Sequence, residues 1–448
     1  MTAAVGTRAA SERELAFRAL AAFRRTGASA QNPPELAPAD ARAAALVTRI
    51  TRGVLQNIAL CDFYIGNFST IPARKIEPQV LDILRLSAYQ MIFLEKIPVS
   101  AAVNEGVALA RRHANPRAAS FVNAVLRKLA GSLGNLPEPV GATRRETLAI
   151  RYSHPLWLVR ELDSSLGGNG LEELLAANNG QPPLTVRVNT LKTDAETAAR
   201  ALAAQGVSAA PHAALPDSLI LSGAGKPGDL DALREGLVFV QDAASTLAAL
   251  SAGPAPGDTV LDGCAAPGGK SFAAAIAMKN RGSVTARDVS EGKLALVTGG
   301  ARRLGVEIIT ARLADARVSA PADEAGSMDI VYADAPCSGF GAIRRKPEIR
   351  YKAPESLSGL HDLQLDILSG LASYVRPGGA LIYSTCTVLS RENGDVVAEF
   401  LRRNPEFHTE PFELPYGFGA APDGTVTLWP HIHGTDGFFI CRLKRSAL

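Results

Sequence analysis

At 448 residues the chain is too long for one ordinary domain, and two or three are expected. Apolar residues make up 47% of it, enough for real cores, yet no apolar run approaches the roughly 20 residues that span a bilayer, so no membrane association is expected. A formal net charge of +3 argues against a protein that holds nucleic acid by bulk charge, so any basic surface must be local.

The N-terminus, MTAAVGTRAASERELAFRAL, lacks the apolar stretch of a signal peptide, and Glu12 and Glu14 come too early for a transit peptide. Cys61, Cys264, Cys337, Cys386 and Cys441 are odd in number and scattered, without a C-x-x-C pair. That speaks against a disulfide framework or a cysteine zinc site and for a reducing compartment. A cytoplasmic monomer is expected.

The first 135 residues read as helical. PQVLDILRLSAYQMIFLEKIP sets Val80, Leu81, Leu84, Met91 and Ile92 at helical spacings, too broadly apolar for an exposed helix. Ser100 offers an N-cap for AAVNEGVALARRH, Pro116 interrupts before AASFVNAVLRKLAG, and Gly131 offers a stop. GSLGNLPEPVGAT then reads as a linker. Residues 144–235 are mixed: LTVRVNTLK and SLILSG alternate like strands, DAETAARALAAQGV reads as a helix, and GAGKPGD as a turn. His154 before Pro155 reads as structural.

From 236 onward the texture is α/β. Strands are expected at DTVLDGC, SVTARD, VEIIT, MDIVYAD, GALIYST and GFFICRL, with helices between most of them, hence a mostly parallel sheet. Ligands of such sheets bind beyond the carboxyl ends of the strands, where Asp262, Asp288, Asp334 and Cys386 fall. The excursion between Asp334 and the next strand carries Arg344, Arg345, Lys346, Arg350 and Lys352, opposed only by Glu348.

Leu261-Asp-Gly-Cys-Ala-Ala-Pro-Gly-Gly-Lys-Ser271 joins a strand to a helix, and Gly268 and Gly269 let the backbone approach a ligand. A phosphate-binding G-x-x-x-x-G-K-[ST] loop would need glycine at 264, where Cys264 stands, so the nucleotide-triphosphatase reading fails on spacing. Asp288 suits the hydroxyls of a ribose and Asp315 the adenine side of a nucleoside. With no G-x-G-x-x-G present, an adenosine-bearing cofactor without phosphates fits better than NAD. His431-x-His433 with Asp436 lacks a further ligand at metal-like spacing, and no metal is expected.

Asp334-Ala-Pro-Cys337-Ser-Gly and Ser384-Thr-Cys386-Thr lie at two strand ends of one sheet. Carbon 5 of a cytosine is a poor nucleophile, but a thiolate added to carbon 6 turns the ring into an enamine that can attack an activated methyl group. Asp334 would contact the base at ring nitrogen 3, and a second thiol can assist the final elimination. The residues alone leave the two thiols interchangeable.

Those two motifs, after Asp-Gly-Cys-Ala-Ala-Pro-Gly-Gly-Lys (262–270), resemble the Sun-type RNA cytosine-5 methyltransferases. The resemblance continues through VQDAAS, RRKPEIRY, LHDLQLDIL and HGTDGFF, and upstream through SHPLWLV and RVNTLK, covering nearly the whole chain. FVNAVLRK resembles the signature of the NusB-like domain that opens the bacterial members acting on 16S ribosomal RNA. The implied fold is an all-α NusB-like RNA-binding domain (1–135), a small α+β linker domain for RNA recognition (144–235) and a C-terminal α/β Rossmann-like class I methyltransferase domain (236–448). S-adenosyl-L-methionine is implied as cofactor, held by Cys264, Ala265, Ala266, Pro267, Gly268, Gly269 and Lys270 with Asp288, Asp315 and Asp334.

The resemblance also orders the thiols, with Cys386 as nucleophile, Cys337 for release and Asp334 on the base. The reverse order, after the Pro-Cys logic of DNA cytosine methyltransferases, is opposed by the Thr-Cys motif. Arg344, Arg345, Lys346 and Arg350 become phosphate contacts and 16S rRNA the partner; a transfer RNA substrate is opposed only by the NusB-like signature. The chain departs from the family pattern at Gly299-Gly300, inside an expected helix, and at Phe340-Gly-Ala.

Overall fold

The computed structural model describes residues 10–27 and 40–447, so the leader reading of residues 1–9 lies outside it. The chain divides into two compact units, Met1–Asn179 with Lys346–Ala353, and Gly180–Arg345 with Pro354–Leu448. No helix among the described residues is long and apolar enough to cross a membrane.

The first unit is helical: α1 (Glu12–Thr26), α2 (Ala41–Gln56), α3 (Ile58–Phe68), α4 (Pro78–Phe93), α5 (Val99–His113), α6 (Pro116–Gly131), α7 (Arg144–Arg151), α8 (Leu156–Leu166) and α9 (Leu171–Asn178). The apolar breadth of α4 has its reason here, because residues all round it are buried, from Val80 and Leu81 to Tyr89 and Met91. Its buried Asp82 accepts from Arg24 at 2.8 Å and from Arg85.

Two helix starts differ from expectation. Ser100 does not cap α5: the helix begins at Val99, and the Pro98 carbonyl accepts from the amides of Ala101 and Ala102. Pro116 opens α6 rather than interrupting the chain, because its missing N–H is no loss at the first helical position. Asn115 caps that turn through the amide of Ala118 at 2.9 Å. The Gly/Pro-rich stretch after α6 is tied down at its end, where Thr143 and Glu146 form a capping box on α7 and Gly141 donates to Thr147.

In the second unit a small antiparallel sheet runs in the order β2-β3-β1-β4, from β1 (Leu184–Val188), β2 (Ser208–His212), β3 (Leu215–Ser222) and β4 (Val238–Val240). Val186, Val188, Leu219 and Leu221 face α10 (Ala195–Ala203) in its core, and the short α11 (Asp231–Arg234) leads into β4.

The large sheet contains β5 (Thr259–Asp262), β6 (Ser283–Asp288), β7 (Ile309–Leu313), β8 (Met328–Asp334), β9 (Val375–Thr385), β10 (Phe407–Thr409), β13 (Thr425–Leu428) and β14 (Phe438–Arg445). A separate ribbon joins β11 (Phe412–Leu414) to β12 (Gly419–Ala421). The large sheet runs β10-β14-β9-β8-β5-β6-β7, with β13 also on β14. From β7 to β9 neighbours are parallel, whereas β14 is antiparallel to β9, β10 and β13. The sheet is therefore mixed. Its chain leaves β5 toward β7, then returns to β8 on the other side of β5, which makes the carboxyl ends of β5 and β8 the switch point where ligands bind. The helices α12 (Ala243–Leu250), α13 (Gly269–Ala277), α14 (Glu291–Leu304), α15 (Leu360–Ala372), α16 (Gly394–Arg403) and α17 (Pro430–His433) complete the unit.

Candidate active site

Three adjacent strands, β5, β8 and β9, end at the switch point, and each leads into one of the loops singled out by sequence. After β5 the chain reaches Gly268, which precedes α13 with φ +110°, a conformation that favours glycine. A Cβ there would overlap the ring of Phe272, and a Cβ at Gly300 of α14 would overlap the same ring. Gly300 thus has a packing role that offsets its cost of roughly 1 kcal/mol in a helix. Nothing in the structure explains Gly299.

Asp262 closes β5 fully buried, accepting from Ser271 Oγ at 2.7 Å, and burial pushes its carboxyl up to about 6. Burial first, then the fields of Asp262, Asp334, Asp288 and Asp315, push the Cys264 thiol up. Cys264 thus marks where these four carboxylates gather. Asp288 accepts from the Ser290 amide at 3.0 Å. Asp315 lies against Arg317, at 3.0 Å from Nε and 2.6 Å from Nη2, which holds its carboxyl below the usual range.

Lys270 departs from the rest of its loop. Its ammonium lies 2.6 Å from Asp334 Oδ2 and 5.0 Å from the Phe438 ring centre, so it is committed to Asp334. Ser384 donates to the other Asp334 oxygen at 2.8 Å, and sequence reasoning gave Ser384 no role. The bare backbone at the start of α13 suits an anionic group such as a carboxylate, while the surrounding carboxylates suit hydroxyls and positive charge. A phosphate would meet the acidic field without the ammonium of Lys270 to oppose it.

The two thiols meet. Cys337 Sγ lies 3.2 Å from Cys386 Sγ, and both residues are partly exposed. The hydrogen bond from Cys337 holds the Cys386 thiol below its ordinary value, against burial and the charge of Asp334, with Lys270 adding to the lowering. The same hydrogen bond, then burial, then the charges of Cys386 and Glu392, push the Cys337 thiol well up. Either sulfur can donate in that contact.

Main-chain contacts fix both loops. The Gly341 amide donates to the Cys386 carbonyl, and the Gly437 amide to the Gly341 carbonyl, each at 2.9 Å. A Cβ at Gly341 would run into the backbone of Gly437 and Cys386, so the Phe340-Gly-Ala departure keeps the one residue that the contact requires. Ser338 donates its amide to Glu392 Oε2 at 2.8 Å, which anchors the turn after Cys337.

The basic cluster is not the surface patch that its composition suggests. Arg344 is buried, donating to Asp436 Oδ1 at 2.7 Å and to the Gly434 carbonyl. Arg345 bridges Asp436 and Asp242, reaching the latter at 2.6 Å. These pairs brace the loop carrying Gly341 and Gly437. Arg350, in the first unit, is fully buried and donates to the carbonyls of Gln56, Tyr152, Ser153 and Asn178. The expectation of phosphate contacts is therefore corrected for Arg344 and Arg350, whose guanidinium groups are enclosed by protein. Asp436 serves these arginines, and His433 Nδ1 accepts from the Trp429 amide at 2.8 Å. His154 is buried, with Nδ1 2.7 Å from the Tyr152 carbonyl.

Three family models match the chain: NusB family over residues 10–131, the RsmF/B-like ferredoxin-like domain over 154–226, and 16S rRNA methyltransferase RsmB/F over 249–444. The probable ribosomal RNA small subunit methyltransferase B of Bacillus subtilis (strain 168) is 39% identical over 410 residues, covering 90% of each chain. The ribosomal RNA small subunit methyltransferase B of Citrobacter koseri is 30% identical over 437 residues, covering 97% of this chain and 99% of its own. The crystal structure of PH0851 superposes with a TM-score of 0.79 at 26% identity, covering 97% of this chain and 98% of that one. The architecture is thus a NusB-like helical domain, a small ferredoxin-like sheet and a C-terminal mixed-sheet methyltransferase domain, and the chain belongs to the RsmB/F family of 16S rRNA methyltransferases.

Proposed function

We propose that the protein transfers a methyl group from S-adenosyl-L-methionine to carbon 5 of one cytosine in 16S ribosomal RNA, through a covalent bond between Cys386 and the base. The observation that carries this reading is the pair of thiols 3.2 Å apart, beside an aspartate paired with Lys270 and Ser384. The loop from Cys264 to Gly269, with Asp288 and Asp315, would hold the cofactor, which supplies an electrophilic methyl group when bound. Asp334 would face the same site from the base side.

The Cys386 thiolate adds to carbon 6, and the ring's electron density moves toward carbon 5. Asp334, set by Lys270 and Ser384, donates or shares a proton at ring nitrogen 3 and so stabilises the negative charge that the addition pushes onto the ring. Carbon 5 then takes the methyl group. Water takes the carbon 5 proton, the electron pair of that bond re-forms the carbon 5–carbon 6 double bond, and the carbon 6–sulfur bond breaks with its pair returning to Cys386. Cys337, next to that sulfur, assists the release. The base must leave its stack to reach the thiols, which favours an unpaired stretch of RNA. The NusB-like helical domain and the small sheet are read as RNA-binding. Among the basic residues first assigned to phosphate, Lys346 retains that role.

Incubation with S-adenosyl-L-methionine and unmodified 16S RNA should deposit methyl groups on a single cytosine. Cys386→Ala should abolish transfer, and Cys337→Ala should trap RNA in a denaturant-stable complex. Full activity in Cys386→Ala would refute the nucleophile assignment, and methylation of transfer RNA in preference to 16S RNA would refute the substrate.

A further inference from the structure

Glu392 lies six residues beyond Cys386 in a short turn, and its side chain is 1% exposed. Its Oε2 accepts from the Ser338 amide at 2.8 Å and from Gln364 Nε2 at 3.0 Å. Gln364 also donates to the Pro336 carbonyl at 3.0 Å, so one carboxylate and one amide grip both sides of Cys337. Tyr383 donates its hydroxyl to the Glu392 carbonyl at 2.6 Å and fixes the backbone of the turn. Among the described residues no lysine or arginine pairs with Glu392, and its Oε1 receives no donor. Two neutral donors suffice to anchor a turn, and a glutamine could accept one of them. A buried negative charge with no counter-cation is a costly way to do the same work.

We propose that Glu392 is a positioning residue that keeps the proton of the thiol pair on Cys337, leaving Cys386 as the thiolate. The two sulfurs lie 3.2 Å apart and either can donate, so where a proton between them rests is set by the surrounding charges. Glu392 and Tyr383 face Cys337, while Asp334 and Lys270 act on Cys386. An anion beside Cys337 disfavours a thiolate there, while at Cys386 Lys270 favours one against the opposing charge of Asp334. The buried carboxylate thus adds to the hydrogen bond and the burial that already separate two chemically identical side chains. This inference rests on the proposed roles of the two cysteines, but proton placement can be tested without RNA or cofactor.

The test is the pH dependence of iodoacetamide labelling of the full-length protein, with each cysteine quantified by peptide mass spectrometry. In the unsubstituted protein Cys386 should titrate below the ordinary thiol value of 9.0 and Cys337 above it. Glu392→Gln keeps an acceptor for Ser338 but removes the charge, and should cut the labelling preference for Cys386 over Cys337 about tenfold, the equivalent of one pKa unit. Glu392→Asp keeps the charge and should retain the preference. An unchanged preference in Glu392→Gln, or equal loss in both variants, would overturn the proposal. So would a reversed titration order in the unsubstituted protein, a readout that needs no variant to fold. Activity of Cys386→Ala separately decides the reading beneath it.

Discussion

Replacing Arg350 with methionine separates the role its position gives it from the one its sequence context suggested. Its guanidinium reaches three carbonyls at 3.1–3.2 Å, those of Gln56, Tyr152 and Ser153, and that of Asn178 at 3.5 Å. Among the described residues it has no carboxylate partner, and burial lowers its pKa to about 10, so holding the cation there already costs something. Each stranded carbonyl is worth about 1–3 kcal/mol, and relief of the buried charge returns part of that. A net loss of about 3–5 kcal/mol from the first unit is expected, with roughly half as much for Arg350→Lys, which can satisfy fewer acceptors. The two tryptophans fall one to each unit, Trp157 in the first and Trp429 in the second. Urea unfolding followed by fluorescence in a Trp429→Phe background therefore reports the first unit. A loss below about 1 kcal/mol, together with a salt dependence of RNA binding reduced by about one phosphate contact, would show that Arg350 faces RNA and refute the reasoning.

Gly300→Ala should lower the melting temperature by crowding Phe272, at about 1–3 kcal/mol, and Phe272→Leu in the same chain should recover most of it; failure of that rescue would leave the packing account without support. Asp262 has a raised carboxyl, so its contribution to stability is complete below the unfolded value near 3.8 and is lost as pH rises through about 6. Asp262→Asn, which can still accept from Ser271, should remove about 2 kcal/mol of pH dependence between pH 4.5 and pH 7, as seen in urea titrations at those two values. Asp436→Asn should cost about 2–4 kcal/mol and slow methylation at least tenfold, because Arg344 and Arg345 lose the carboxylate that braces the Gly341–Gly437 contact. An unaltered rate in that variant would mean the brace does not reach Cys386.

The strand ends that carry the candidate site were legible because short apolar strands ending in Asp262, Asp288, Asp334 and Thr385 declare themselves locally. The antiparallel edge was not: the expected strand at GFFICRL is present as β14, but nothing in its composition says that it runs against β9. The arginine cluster misled for a related reason. Arg344 finds Asp436 92 residues away and Arg350 finds carbonyls up to 294 residues away, and no window around 344–352 contains either. Gly300 read as a weakness in a helix because Phe272, which fills the space, lies on another element. Glu392 and Ser384 carried no signal beyond being polar residues near a thiol. Where the partner is local, residue type and spacing suffice; where it is remote, the same residue supports the opposite reading.

The assignment of Lys346–Ala353 to the first unit has a consequence in time. Arg350 and Tyr351 supply hydrogen bonds to Leu55, Gln56, Tyr152 and Asn178, yet they are made long after those residues have left the ribosome. At about 5–20 residues per second, a growing chain needs on the order of 10–35 s to travel from Asn179 to Ala353. Through that interval the helical unit has its long helices but lacks its last donor, and most of the second unit's sequence emerges before the first is complete. The order of synthesis and the order of completion therefore run in opposite directions over this part of the molecule.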